Sequence, residues 1–133
     1  MKSFLLDTNM CVYALKGKAP VLDRLLSHAP TAISVSVITE AELRAGAAKS
    51  SSPVKTLRSI ENFLRPLQIL PFTSEDAAIY GRVRARLETA GTPIGPLDTL
   101  IGAHALARRM TLVTKNELEF ARIAGLTLEN WIT

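Results

Sequence analysis

The feature that most constrains this chain is an alternation: short apolar or β-branched runs, each followed by a stretch with helical spacing. Residues 3–6 (SFLL) form an apolar run that stops at Asp7, and Thr8-Asn9 then open a helical pattern through Leu15. After the break between Gly17 and Pro20 come a helix over 20–28, a β-branched strand over 32–37 and an Ala-rich helix over 38–49. Ser50 to Pro53 is a polar loop, and Leu57, Ile60 and Leu64 mark a helix over 54–65. A strand over 67–71 precedes a long helix capped by Ser74 and running to Thr89, and the Gly/Pro-rich segment 91–96 is a loop. The pattern closes with a helix from Leu97 to Arg109, a strand from Thr111 to Thr114, a short helix from Glu117 to Ile123 and a last strand from Leu126 to Leu128. Strands that alternate with helices pair in parallel and need cover on both faces. The expected fold is therefore α/β, a three-layer α/β/α sandwich around a mainly parallel sheet. At 133 residues, residues 1–133 are expected to form one domain with one respectable core.

In open parallel sheets, ligands bind beyond the carboxyl ends of the strands, so polar residues at those ends carry the functional signal. Asp7 ends the first strand, Glu42 lies early in the helix after the second, and Asn116 and Glu119 follow the strand at 111–114. Asp98 opens its helix, on one stripe with Ile101, Gly102 and Ala105. Each has a structural alternative. Asp7 fits a helix cap, Asp98 complements a helix dipole, and Thr39 with Glu42 matches a capping box, while Glu40 points nearly opposite Glu42 toward solvent. Convergence argues for function, because independent caps have no reason to share one rim. Carboxylates gathered there repel by about 4 kcal/mol per pair at 4 Å and an effective dielectric near 20, unless a cation lies among them. Hard oxygen donors without Cys or His select Mg²⁺ or Mn²⁺.

The other polar residues are assigned more plainly. His28 and His104 take no metal or catalytic role, Cys11 is a buried small hydrophobe, and Arg82 with Arg86 at i,i+4 reads as a solvated helix face. Arg44 and Lys115, each close in sequence to a proposed ligand, are the candidates for contact with RNA. A net charge of +4 and a pI near 9.6 favour approach to a polyanion without identifying one. No apolar run approaches the roughly 20 residues that span a bilayer, the N-terminus is unlike a signal peptide, and a lone cysteine agrees with a reducing compartment; a cytoplasmic protein is expected.

The blocks FLLDTN (4–9), SVITEAELRAGAAKS (36–50), GTPIGPLDTLIGAHALA (91–107) and TLVTKNELEF (111–120), closed by LENW (128–131), occur in order across nearly the whole chain. In this they resemble the VapC toxins of the PIN-domain ribonucleases. The resemblance implies a PIN-like sandwich, a homodimer, dependence on Mg²⁺ or Mn²⁺, and endoribonuclease activity restrained by a VapB-like antitoxin. By position, Asp7, Glu42 and Asp98 match the acidic ligands, and Thr8, Asn9, Thr99 and Thr114 match the polar residues behind them. The last two blocks are nearest in form to members that cut initiator tRNA in the anticodon region. The chain departs from many PIN domains at Asn116, where they carry an acid, so either the Asn116 amide or Glu119 completes the set and the number of ions stays open. With an ion-activated water as the nucleophile, products carry 5′-phosphate and 3′-hydroxyl ends.

Two other classes share parts of this pattern. A receiver-type signalling domain needs a phosphoacceptor Asp directly after a central strand, whereas the strand at 67–71 runs into Pro71-Phe72-Thr73. A catalytically silent PIN-like module that binds RNA or a partner differs only in activity. Apolar residues on the helices at 54–65 and 74–89, including Leu57, Ile60, Leu64, Tyr80 and Leu87, suggest a twofold dimer surface. The antitoxin is expected to bring a basic side chain to the carboxylates.

Overall fold

A computed structural model describes residues 2–133, so residue 1 of the expected 1–133 domain lies outside the described residues. The strands are β1 (Phe4–Leu6), β2 (Ile33–Ser36), β3 (Gln68–Leu70), β4 (Thr111–Val113) and β5 (Leu128–Glu129). The helices are α1 (Thr8–Leu15), α2 (Ala19–Leu26), α3 (Val37–Lys49), α4 (Pro53–Leu64), α5 (Ser74–Thr89), α6 (Pro96–Ala107) and α7 (Glu117–Phe120), with a 3-10 turn at Pro30–Ala32. All pairings are parallel, in the order β3-β2-β1-β4-β5.

Strand periodicity explains the layers. Successive side chains on a strand point to opposite faces, so a strand covered on both faces is apolar throughout. Phe4 and Leu6 join Ile33, Val35 and Val113 in a core closed by α1 to α4 and Trp131. Leu5 and Leu112 face the other way, into a core formed with α5, α6, Phe120 and Ile123. These two cores on one sheet are the expected α/β/α sandwich. Gly102 lets α6 approach α7 closely, since a Cβ there would fall 2.5 Å from Ile123 Cδ1 and 3.3 Å from the Phe120 ring.

The element boundaries differ from expectation at places with local causes. The cap of α5 is Thr73, not Ser74: Thr73 Oγ1 accepts from the Asp76 amide and the Asp76 carboxylate accepts from the Thr73 amide, a complete capping box. Helix α3 starts at Val37 because Ser36 Oγ accepts from the Ile38 amide, which puts Thr39 inside the first turn and removes the capping-box role for Glu42. The last strand lies at Leu128–Glu129, two residues beyond the expected start, after a turn at Gly125 with φ of 84°. Ile60, Leu64 and Leu87 are buried in the two cores, and Leu57 and Tyr80 pack against them while keeping part of their surface exposed. Among the described residues no helix is long and apolar enough to cross a membrane.

Candidate active site

The strand order fixes where a site forms. From β1 the chain builds outward in one direction through β2 and β3, and in the other through β4 and β5, so the reversal lies between β1 and β4. The helices leaving the carboxyl ends of two such strands diverge and leave a crevice. Asp7 follows β1 at this crevice and Thr114 follows β4, with their backbones joined by the hydrogen bond from the Asp7 amide to the Val113 carbonyl.

Asp7 is 4% exposed and held from two sides. Its Oδ1 accepts from the Met10 amide at 2.8 Å and its Oδ2 accepts from the Thr114 hydroxyl at 2.6 Å. The capping alternative is thus real, and it coexists with the site, because each carboxylate oxygen keeps a second lone pair. The Asn116 amide donates to Thr114 Oγ1 at 2.9 Å, which fixes the threonine hydroxyl as donor to Asp7. On the neighbouring helix α3, Glu42 Oε1 accepts from the Thr8 hydroxyl at 2.6 Å, and Thr39 Oγ1 lies 3.3 Å from that same hydroxyl. One threonine at the start of α1 therefore sets the carboxylate of α3.

Charge accumulates around Asp7. Burial pushes its carboxyl up to about 6, the bonds from Thr114 and Met10 pull the other way, and the charges of Asp98 and Glu42 add to the rise. Asp98, half-buried in the first turn of α6, is also raised, first by burial, then by Glu42 and Glu119. These effects put Glu42 and Asp98 within electrostatic reach of Asp7, and Glu119 within reach of Asp98. Among the described residues none of the four has an ion-pair partner.

No three acidic, His or Cys side chains among the described residues are already drawn together tightly enough to enclose an ion. Asp7 is fixed by two hydrogen bonds, so closure falls to the side chains of Glu42, Asp98 and Glu119, all partly exposed. The donor set fits a hard divalent cation: carboxylate oxygens whose charges raise the proton affinity of Asp7 and Asp98, with no lysine or arginine bonded to them among the described residues.

The remaining candidates are placed as follows. Asn116 is the residue before α7, and its side chain makes no capping bond. Thr99 is buried and turns its hydroxyl back to the Gly95 carbonyl at 2.8 Å, closing the first turn of α6. Asn9 is exposed at the start of α1. Arg44 is engaged by Glu40 through two bonds at 3.0 and 3.1 Å and stands 3.8 Å from Glu61, so Glu40 is paired rather than simply solvated. Lys115 is exposed, with Nζ 5.8 Å from the Tyr13 ring centre. From Glu42 a mainly apolar groove of about 540 Å³ runs between α1, α3 and α4, past Thr8, Val12, Leu43 and Ile60.

Sequence reasoning missed a buried polar network beside this crevice. Arg108 grips Asp76 through Nε and Nη2, each at 3.0 Å, and Asp76 also caps α5. His104 lies fully buried, its Nδ1 2.8 Å from Ser36 Oγ and its Nε2 3.5 Å from Asp76 Oδ2 without completing a hydrogen bond. Ser36 Oγ accepts from the Ile38 amide and has a lone pair and a proton left, so it pairs with His104 Nδ1 as donor or acceptor according to the imidazole tautomer. Burial lowers the His104 pKa ahead of the opposing pull of Asp76, so the ring is neutral. The T-x-x-D pattern at 73–76 announces the cap, but nothing in the sequence announces its pairing with Arg108.

The acids at the carboxyl rim of this parallel α/β/α sheet fit a PIN domain, and the PIN domain family model matches residues 4–126. The tRNA(fMet)-specific endonuclease VapC of Salmonella typhimurium is 37% identical over 131 residues, covering 98% of this chain and 99% of that one. Ribonuclease VapC2 of Rickettsia felis is 41% identical, with 96% and 97% covered. A solved complex, VapBC2 from Rickettsia felis bound to a DNA fragment from their promoter, superposes on 96% of this chain and 98% of its own with TM-score 0.91 and 40% identity. The chain belongs to the VapC ribonucleases of the PIN-domain family.

Proposed function

We propose that this chain is a one-domain, Mg²⁺-dependent endoribonuclease of the cytoplasm, the toxin of a toxin-antitoxin pair, that cuts initiator tRNA and so stops translation; Mn²⁺ substitutes for Mg²⁺. The observation that carries this reading is the set of acids at the β1/β4 crevice, where Asp7 and Asp98 are raised by burial and by neighbouring acids with no bonded cation. The substrate follows the Salmonella typhimurium relative, whose name specifies tRNA(fMet).

Asp7, Glu42 and Asp98 hold the ion, with Glu119 or the Asn116 amide completing the set. When bound, a divalent cation activates water for in-line attack on a phosphodiester and stabilises charge on the departing oxygen. The protein's own contribution is preorganisation. Thr114 and the Met10 amide fix Asp7, Thr8 aims Glu42, and the rigid first turn of α6 presents Asp98. Arg44 and Lys115 stand as RNA contacts, Arg44 once it exchanges Glu40 for a phosphate. The working unit is a homodimer.

A VapB-like antitoxin completes the pair. The groove that starts at Glu42 suits an apolar antitoxin segment, and a basic side chain on that segment satisfies the acids while excluding the ion.

The test is cleavage of initiator tRNA by the purified chain with Mg²⁺ or Mn²⁺. A discrete break with 5′-phosphate and 3′-hydroxyl ends, abolished by chelation, is expected. Ends with 2′,3′-cyclic phosphate, or a break that persists in chelator, would mean that the ribose 2′-hydroxyl is the nucleophile and that the acids serve another purpose.

A further inference from the structure

Helix α5 carries three arginines in alternation, Arg82, Arg84 and Arg86, and the structure divides them. Arg84 is committed: its Nε bonds Glu88 at 3.1 Å and its Nη1 bonds the Tyr80 hydroxyl at 3.3 Å. Arg82 and Arg86, one turn apart, line a different cavity of about 250 Å³, between α5, the end of α6 and the turn after α7. Arg122 lines the same cavity from the other side, over a floor that includes Val83, Leu87 and Ile123. Among the described residues Arg82 and Arg86 have no ion-pair partner, and the cavity lining contains three arginines and no acid. Sequence spacing alone reads Arg82 and Arg86 as a solvated face; Arg122, distant in sequence, turns that face into one wall of a cleft.

The cleft is tied to the candidate active site through one loop. Arg122 Nη1 donates to the Pro93 carbonyl at 3.0 Å, Thr92 lines the cleft, and the same loop runs on to Asp98. Pro93 and Asp98 are five positions apart, so their Cα atoms lie within about 18 Å of each other. A stacked strand advances about 3.4 Å per nucleotide, so the Pro93 end of the cleft lies a few nucleotides' reach from the Asp98 backbone.

We propose that the Arg82–Arg86–Arg122 cleft is a second RNA contact, seating a backbone phosphate of the substrate a few nucleotides from the cut, with its ribose or base against the apolar floor. Guanidinium groups suit this task because they bind phosphate oxygens through paired N–H donors and also cover the flat face of a base. A site that reads backbone and π-face adds affinity and register rather than base identity. The proposal rests on the ribonuclease reading, and its test separates the two.

Initiator tRNA binding and cleavage are compared for wild type, Arg82→Ala/Arg86→Ala and Arg82→Lys/Arg86→Lys across a salt series. The alanine pair is expected to raise KM and Kd at least tenfold and to flatten the slope of log affinity against log salt by about one, because one phosphate contact is lost. The lysine pair keeps the charge and is expected to recover most of the slope. If wild type cleaves the tRNA and the alanine pair matches it in KM, Kd and salt slope, the cleft is not an RNA contact and the ribonuclease reading stands. If wild type neither binds nor cuts RNA under any metal condition, the ribonuclease reading itself is wrong and the cleft proposal falls with it. If the alanine pair loses affinity for the antitoxin while its RNA affinity is intact, the cleft seats an acidic peptide and the proposal is overturned.

Discussion

Replacing Asp7 with Asn is expected to reduce RNA cleavage at least 100-fold while making the metal-free protein more stable at neutral pH. The rate loss follows from removing a charged ligand at the best-fixed position of the site, where the electrostatic contribution of a bound ion is worth several kcal/mol. The stability gain follows from burial. Asp7 ionises at about 6 in the fold against 3.8 as an ordinary aspartate. A carboxyl whose folded pKa lies above its unfolded value stabilises the fold most below the unfolded pKa, and that contribution is lost as pH rises through the folded pKa. Metal-free wild type should therefore lose on the order of 2–3 kcal/mol from this group between about pH 4 and pH 7. Asn keeps an oxygen to accept from the Met10 amide, carries no charge, and abolishes that decline. Urea unfolding in EDTA at pH 4.5 and 7.5 measures the effect. A variant whose stability falls between the two pH values as steeply as wild type would show that Asp7 is not the source.

The second large effect is structural. Asp76→Ala is expected to cost about 3–5 kcal/mol, because it removes the partner of Arg108 and the carboxylate half of the α5 capping box together. Arg108 retains some access to solvent, which favours the lower end. The sign with pH is opposite to that of Asp7. The Arg108 guanidinium holds Asp76 down at about 2, so its contribution is present above about 3.8 and is lost as pH falls through about 2. The gap between wild type and Asp76→Ala should thus be wide at pH 7 and narrow toward pH 2. Chemical denaturation at both ends measures it, and a loss under 1 kcal/mol at pH 7 would mean that water replaces the carboxylate at little cost.

These two residues also show what a sequence discloses. Asp7 is legible because it ends an apolar strand and begins a helix, and the strand alternation that reveals the sheet also reveals its rim. Glu42 and Asp98 are legible for the same reason, although sequence alone could not separate a capping glutamate from a free one. That depended on whether α3 began at Ser36 or Thr39, a choice made by the Ser36 hydroxyl and its bond to His104. The pairing of Asp76, His104 and Arg108 left no periodic trace, since it joins residues up to 32 positions apart through side chains alone. Arg82 and Arg86 are exposed as their spacing predicts, and only the fold brings Arg122 opposite them. Of the apolar residues on α4 and α5, Ile60, Leu64 and Leu87 go to the two cores, because helical layers cover both faces of the sheet.

The central claim is that Asp7, Glu42 and Asp98 form one cation site, and metal-dependent stabilisation of wild type against Asp98→Asn tests it most directly. Asp98→Asn conserves shape, lies at a helix start where Asn is tolerated, and deletes one of the charges that raise Asp7. Binding to the folded state alone stabilises by about 1.4 kcal/mol at tenfold excess over Kd, or roughly 4 °C in Tm for a domain of this size. Millimolar Mg²⁺ or Mn²⁺ should therefore raise the Tm of wild type by several degrees. In Asp98→Asn the metal-free Tm should be higher than wild type, the metal-induced rise should be largely gone, and RNA cleavage should fall with it. An Asp98→Asn protein that is less stable without metal, gains the full metal-induced rise and still cuts RNA would reduce Asp98 to a helix-end residue and contradict the account.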